Sequence, residues 1–524
     1  MLCPDCGCEK LPDYSSCAQC SATPVAWCPV TANDGPAAFI PAQRRAAVPY
    51  PAGQAGERPR DGSSSTAATR FLCAGVTMDP ELERRLLEDV LEEPGRAVVI
   101  SPGLDLVTVL KYALAAHRRR VVRDVILVIA LFLMILTFLD GSLVIILPLI
   151  ASWLTVVIEQ FQRTHGPAVR GLRAGAFDPD EVPSPTRNVV HDLQLQRIAT
   201  ASATGNVTLY SGFPPFVGYG QVKESWSFAI DITRPRQDSR SRSFSVHEIY
   251  DSVKAGLNEL DLPGIDVTER LFVNGRDIRG DGRFLPVPGG PPVTSVDPAL
   301  VRELMANPEE RARPYLTIGM TGWGGDLVGT TFIRFLLSRT DLFVEAAHTA
   351  IGPIREQFKA IDDRNPEPTA GEIIGLLLGS MFALPALILM SVRAVFRELT
   401  AGRRRARKHD RVTNTGDYGP LLSAREAAAD SRWHRYFQAF DDARYVKVIE
   451  QRIFRTLLEF LAEHGVDTSS LVARTETVVN NGVMVTGQAS VQADQIAAGA
   501  GAQAAGLVSR LRATEGTGTA GGSN

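Results

Sequence analysis

No cysteine follows Cys73 in this 524-residue chain, and five of the seven lie between Cys3 and Cys20. That distribution excludes a disulfide framework spread over the fold and leaves a metal site, in a reducing compartment, as the use for the thiols. A dominant charge is also missing: 55 basic against 58 acidic residues give a net charge of −3. Nothing global therefore points to nucleic acid, and no such partner is expected. The compact signatures of common chemistries are absent as well, among them HExxH, GxSxG, a complete P-loop and paired acidic metal motifs. No reaction can be read from the residues, and the reading leans towards a non-enzymatic role. No signal peptide precedes the cysteines, so an internal apolar segment is expected to direct targeting.

That segment runs from Val125 to Ile158. Two apolar arms flank the polar turn Asp140-Gly141-Ser142, the pattern of a membrane helical hairpin within residues 121–160. Each arm falls short of the roughly 20 residues that span a bilayer, so flanking residues must complete it. Lys111, Arg118, Arg119, Arg120 and Arg123 precede the first arm, and Arg163, Arg170 and Arg173 follow the second. By the positive-inside rule both ends face the cytoplasm.

Upstream, Cys3 and Cys6 form one CxxC knuckle and Cys17 and Cys20 a second. Four thiolates at this spacing can converge tetrahedrally on one zinc ion, with Cys8 as an extra thiol. The pattern resembles the short zinc ribbons that open many bacterial proteins, matching at Cys3, Pro4, Cys6, Gly7, Cys17 and Cys20, while Ser21 replaces the usual final glycine. The resemblance implies a structural zinc site over residues 1–27 and a docking surface for a protein partner. Residues 28–69, rich in Pro, Ala, Gly, Ser and Arg, read as a disordered linker. A helical region is expected over 70–120, with Asp79 capping a helix that starts at Pro80.

Residues 185–362 read as a mixed α+β soluble domain. Strands are expected at NVTLY (from Asn206), WSFAIDI (from Trp226), RLFVNG (from Arg270) and YLTIGMT (from Tyr315), and in the apolar runs from Phe332 and Leu342. Ser245 and Glu248 spell a capping box for a helix with Val246, Ile249, Val253, Leu257 and Leu260 on one face. Candidate chemistry here is thin. Gly218 to Gly220 and Gly322 to Gly325 read as turns rather than phosphate loops. His247 with Asp251 reads as a solvated face, and Glu345 and His348 should point to opposite sides of a strand. Arg279-Gly280-Asp281 reads as a chance turn, and Arg234, Arg236, Arg240 and Arg242 as a solvated basic loop.

A third apolar membrane segment occupies residues 372–396 and carries Pro385; eight basic residues follow between Arg393 and Arg411. A simple third crossing would place that cluster outside, so a re-entrant or interfacial segment is favoured, although the length suits a crossing. Residues 424–465 read as amphipathic helices. They begin with Trp433, Tyr436, Phe437 and Phe440 on one face, suited to core packing or to interfacial anchoring. Residues 475–506 are a β-prone tail with an Asn481-Gly482 hairpin signal, expected to self-associate, and 513–524 read as disordered.

RFLCAG (from Arg70), the Arg-rich entry to the hairpin and the NNGVMVTG tail together resemble uncharacterised membrane proteins of actinobacteria. The resemblance implies no activity and no site residues. The expectation is a multi-domain α+β protein, multi-pass in the cell membrane with the lipid bilayer as its partner. The zinc ribbon and most of the soluble mass should face the cytoplasm, forming an interaction or sensing scaffold. The alternatives are a membrane-anchored enzyme with its site in 185–362, or a transport or envelope-assembly component.

Overall fold

The computed structural model describes residues 66–472, except 142, 180, 184–187, 237–241, 261, 364–366 and 470. The cysteine knuckles, the linker and the 475–506 tail lie outside the described residues.

α1 (Thr66–Met78) and α2 (Pro80–Leu86) open the chain, and Asp79 caps α2 by accepting from the amides of Glu81 and Leu82. A single π-turn to Leu91 ends this pair. α3 (Leu106–Leu139) starts one turn after Gly103 because the Asp105 carboxylate accepts from Val107 and Thr108 N–H. Its first half packs with α1 and α2 in a helical core containing Leu72, Leu86, Val109, Leu110 and Ala113. Its second half is outward-facing and apolar: Ile129, Phe132, Leu133, Phe138 and Leu139 are exposed. After the turn at Asp140, α4 (Ile146–His165) runs back, showing Ile146, Leu147, Leu149, Ile150, Leu154 and Ile158. The hairpin forms as expected, and its lower end is completed by the polar half of α3. α5 (Pro167–Arg170) returns Val169 and Leu172 to the core that α3 left.

α6 (Val189–Thr204) was not anticipated; its buried stripe is only Leu195, Ile198 and Ala201, too small to stand out in the sequence. The sheet follows. β1 (Val207–Tyr210), β2 (Gln221–Asp231), β3 (Ile265–Asn274), β4 (Ala312–Gly322), β5 (Leu327–Leu337) and β6 (Asp341–Ile351) pair in the order β1-β3-β4-β5-β6-β2. β1 lies parallel to β3, and the other pairs are antiparallel. All six expected strand segments are present. α7 (Val246–Asn258) carries the Ser245 cap, and with α8 (Pro298–Ala306) it covers one face of the sheet. On the other face Phe216 stacks on Phe332 at 4.0 Å, with Phe272 and Tyr315 edge-on to it.

α9 (Glu356–Lys359) brings Phe358 and Ile361 back to the helical core. α10 (Ala370–Leu399) is one continuous helix through Pro385, so the chain does not dip and turn back there. α3 and α10 are each long and apolar enough to cross a membrane. α10 packs against both helices of the hairpin. Leu384 packs on Leu127 of α3 and Val156 of α4. Seven residues earlier the Leu377 carbonyl accepts from Trp153 Nε1, and seven residues later the Ser391 hydroxyl donates to Asp124. Seven residues further still, Glu398 reaches His117, so α10 packs on both arms of the hairpin and then follows α3 back towards the helical core.

α11 (Ala401–Thr415), α12 (Ala424–Ala427) and α13 (Tyr436–Glu463) then rejoin the fold. α11 pairs with the acidic end of the α2 segment through Arg405–Glu92 and Lys408–Glu93, 3.2 Å in the latter case. α13 lays Ile449, Ile453, Phe454, Leu457 and Leu461 on the sheet face beside α7. The covering layer thus extends past residue 362, to a helix on the far side of α10. Tyr436, Phe437 and Phe440, at its start, are exposed, which removes core packing as their role; Trp433 precedes the helix.

Candidate functional site

Where α3 leaves the helical core, its charged residues meet three neighbours within two turns. Arg120 binds the Glu83 carboxylate of α2 and donates to the Val76 and Thr77 carbonyls at 3.3 and 3.4 Å. His117 Nδ1 reaches Glu83 at 3.0 Å, and its Nε2 reaches Glu398 of α10 at 3.6 Å. One turn on, Arg123 binds Asp124 at 2.7 Å and Glu159 of α4 at 3.3 Å. Asp124 also accepts from the Ser391 hydroxyl of α10 at 3.0 Å. Charges at this depth are tolerated because each is paired or hydrogen-bonded. The result is an ionic layer tying α2, α3, α4 and α10 together just below the apolar arms.

A cavity of about 560 Å³ opens beside this layer. Arg84, Arg120, Arg123, Arg163, Arg393 and Arg397 line it, against the acidic Glu83, Asp124 and Glu398. Its remaining wall is apolar, with Val121, Val125, Leu387 and Met390. The combination suits an amphiphile carrying negative charge.

A second polar cluster is sealed between the sheet and α13. His348 Nε2 lies 3.3 Å from Asp442 Oδ1, and Thr331 Oγ1 lies 3.3 Å from His348 Nδ1. Gly329 makes room for the carboxylate, since a Cβ there would stand 2.9 Å from it. Two turns along α13, Glu450 Oε1 accepts from Trp226 Nε1 at 2.6 Å. Burial pushes the Glu450 carboxyl up to about 7, outweighing the indole hydrogen bond. A histidine–carboxylate pair can move protons, but both partners here are buried.

Residues 225–492, just over half of the chain, match the family described as the AbeC-like domain. The chain belongs to that family. No curated protein and no solved structure matches it. The AbeC-like domain begins within β2, contains α10 and α13, and continues past the described residues. The helix packed on the hairpin is therefore part of the domain, whereas the hairpin precedes it.

The residues singled out in the sequence that lie in the described part of the chain fall into structural roles. Asp251 pairs with Arg302 at 2.8 Å. Glu345 faces Tyr315 and Arg334, whereas His348 faces Asp442, on opposite sides of β6 as expected. Arg234 pairs with Asp231, and Arg242 donates to the Glu463 carbonyl. Arg279 donates to the Thr413 carbonyl, and Asp281 binds Arg283. Both glycine-rich stretches are turns, and both serve as sockets for α12. The Gly218 and Gly220 amides donate to Glu426 Oε1 at 2.9 and 2.8 Å. The neighbouring Arg425, fully buried, donates to the Gly325, Asp326 and Gly352 carbonyls. Cys3, Cys6, Cys17 and Cys20 lie outside the described residues. The ionic layer was missed; the only trace of it was the spacing of His117, Arg120 and Asp124, which reads equally as a solvated entry to a membrane helix.

Proposed function

We propose that this chain is an integral membrane protein anchored by the α3–α4 hairpin and α10, acting as a cytoplasm-facing interaction or sensing scaffold. The observation that carries the reading is topological. α3, α4 and α10 expose apolar faces, while the segments entering and leaving all three fold into the same unit. A single crossing by α10 would put a bilayer between Ile361 and Ala424, which share the helical core. An α10 resting in the interface, with both ends on one side, satisfies this packing and also keeps the basic residues of α11 inside. The exposed Tyr436, Phe437 and Phe440, close to the half-exposed Trp323, offer a partner surface.

Reporter fusions after residues 170, 300 and 410 test the topology, with alkaline extraction testing integration. All three positions should report cytoplasm; a periplasmic signal after residue 410 alone would overturn the in-plane α10. A second reading, a membrane-anchored enzyme, draws on the His348–Asp442 pair. It requires catalysis abolished by His348→Gln, with the thermal stability of the variant retained.

The N-terminal ribbon is proposed as a structural zinc module that docks a protein partner. The full chain should carry about one zinc, and Cys17→Ser should release it. The 475–506 tail is proposed to self-associate, so its deletion should lower the oligomeric state.

A further inference from the structure

We infer that the cavity between α3 and the C-terminal half of α10 binds the headgroup of an anionic phospholipid, an inference that rests on the membrane reading above. Arg120 and Arg123 are committed to Glu83, Asp124 and Glu159, and Arg84 to Glu81 and Glu88. Arg163, Arg393 and Arg397 line the same space and make no ion pair with the described residues. Six arginines against the three acids Glu83, Asp124 and Glu398, of which Glu398 is already engaged by His117, leave this lining without a full counter-charge. A phosphodiester supplies one, and its paired oxygens match the fork of a guanidinium.

The apolar wall decides between a lipid and a free phosphate. Val125 and Met390 line the cavity and are themselves 39% and 61% exposed, so the space continues onto the outward faces of α3 and α10. An acyl chain leaving the cavity would run along those faces. A zwitterionic lipid is a poorer fit, because its ammonium group would meet arginines while Glu83 and Asp124 are engaged and Glu398 lies beside His117. Basic pockets beside membrane helices on the cytoplasmic side are suited to anionic headgroups for these reasons.

The test uses the full chain in neutral detergent, exposed to equimolar phosphatidylglycerol and phosphatidylcholine, with retained lipid read by native mass spectrometry. One phosphatidylglycerol should be held in preference to phosphatidylcholine. The combined Arg163→Gln, Arg393→Gln, Arg397→Gln variant should bind it on the order of a hundredfold more weakly. Arg313→Gln, Arg339→Gln and Arg455→Gln together remove the same charge elsewhere and should leave binding intact. Equal retention of the two lipids by the unmodified chain overturns the proposal even where the variant fails to fold. So does equal weakening by both variants, or displacement of the lipid by equimolar glycerol 3-phosphate. Alkaline extraction of the unmodified chain separates the failures. A chain that stays in the membrane without lipid preference loses this pocket alone, whereas a chain that washes off loses the anchoring as well.

Discussion

Glu450 carries a carboxyl from α13 onto the sheet, where it accepts from the indole of Trp226 on β2. Its pKa near 7 in the folded chain, against about 4.5 when unfolded, means that the folded state holds a proton the unfolded state has lost. Stability therefore falls as pH rises from about 4.5 through 7, and the full penalty is present above that. Glu450→Gln keeps an acceptor for the Trp226 indole and cannot ionise. It should raise stability at pH 8 by up to about 3 kcal/mol and change little at pH 4, as read from thermal unfolding at the two pH values. Equal shifts at both would exclude the linkage. Asp362 shows the opposite sign. The Arg70 guanidinium, bonded through both nitrogens at 2.6 and 2.7 Å, holds this carboxyl below its usual range. Its contribution is present above the unfolded value near 4 and is lost as pH falls. Asp362→Asn should cost about 1–2 kcal/mol at pH 7, after allowance for its partial exposure, and progressively less as pH falls below about 4. Neither residue was legible beforehand, because a lone carboxylate has no sequence mark that tells a buried partner from water.

At the scale of elements, α12 shows how local and distant information divide. The glycines at 218, 220 and 322–325 were readable as turns, because they punctuate apolar runs. What fills those turns was not readable, since Arg425 and Glu426 arrive some two hundred residues after Gly218. Gly220 has φ near +90°, and a Cβ there would meet the Ala350 carbonyl oxygen at 2.3 Å. Gly220→Ala should therefore destabilise the chain by about 1–3 kcal/mol. It should also loosen the Glu426 socket, which hydrogen exchange of the Gly218 amide would report. Protection unchanged from the parent would show that the turn shifts without disturbing α12. The Ser245 cap, the strand alternation and the α13 stripe from Val446 to Phe460 were legible for the complementary reason: each is written within one or two turns of chain. The partner of that stripe was not, and it is the sheet that the stripe covers.

Across the whole molecule, the hairpin was legible because some thirty residues with so little charge leave few other fates. The lie of α10 was not, because it rests on Leu384 meeting Leu127 and Val156, contacts that no local period encodes. The basic residues after α10 argue against a plain third crossing, whereas its length argues for one. The late arrival of α13 has a consequence for how the protein is made. A ribosome completes β6 at Ile351, yet Ile318, Ile333 and Val344 receive their α13 cover only after Tyr436 has emerged. Throughout that interval the sheet face has α7 and α8 on it but not α13. Chains ending at residue 435 should be cut rapidly within β4 and β5 by added protease, whereas chains ending at 472 should resist; equal resistance would mean that α7 and α8 suffice. Translation halted in that window would leave an unfinished sheet open to other nascent chains, so elongation speed between codons 351 and 463 becomes a determinant of yield.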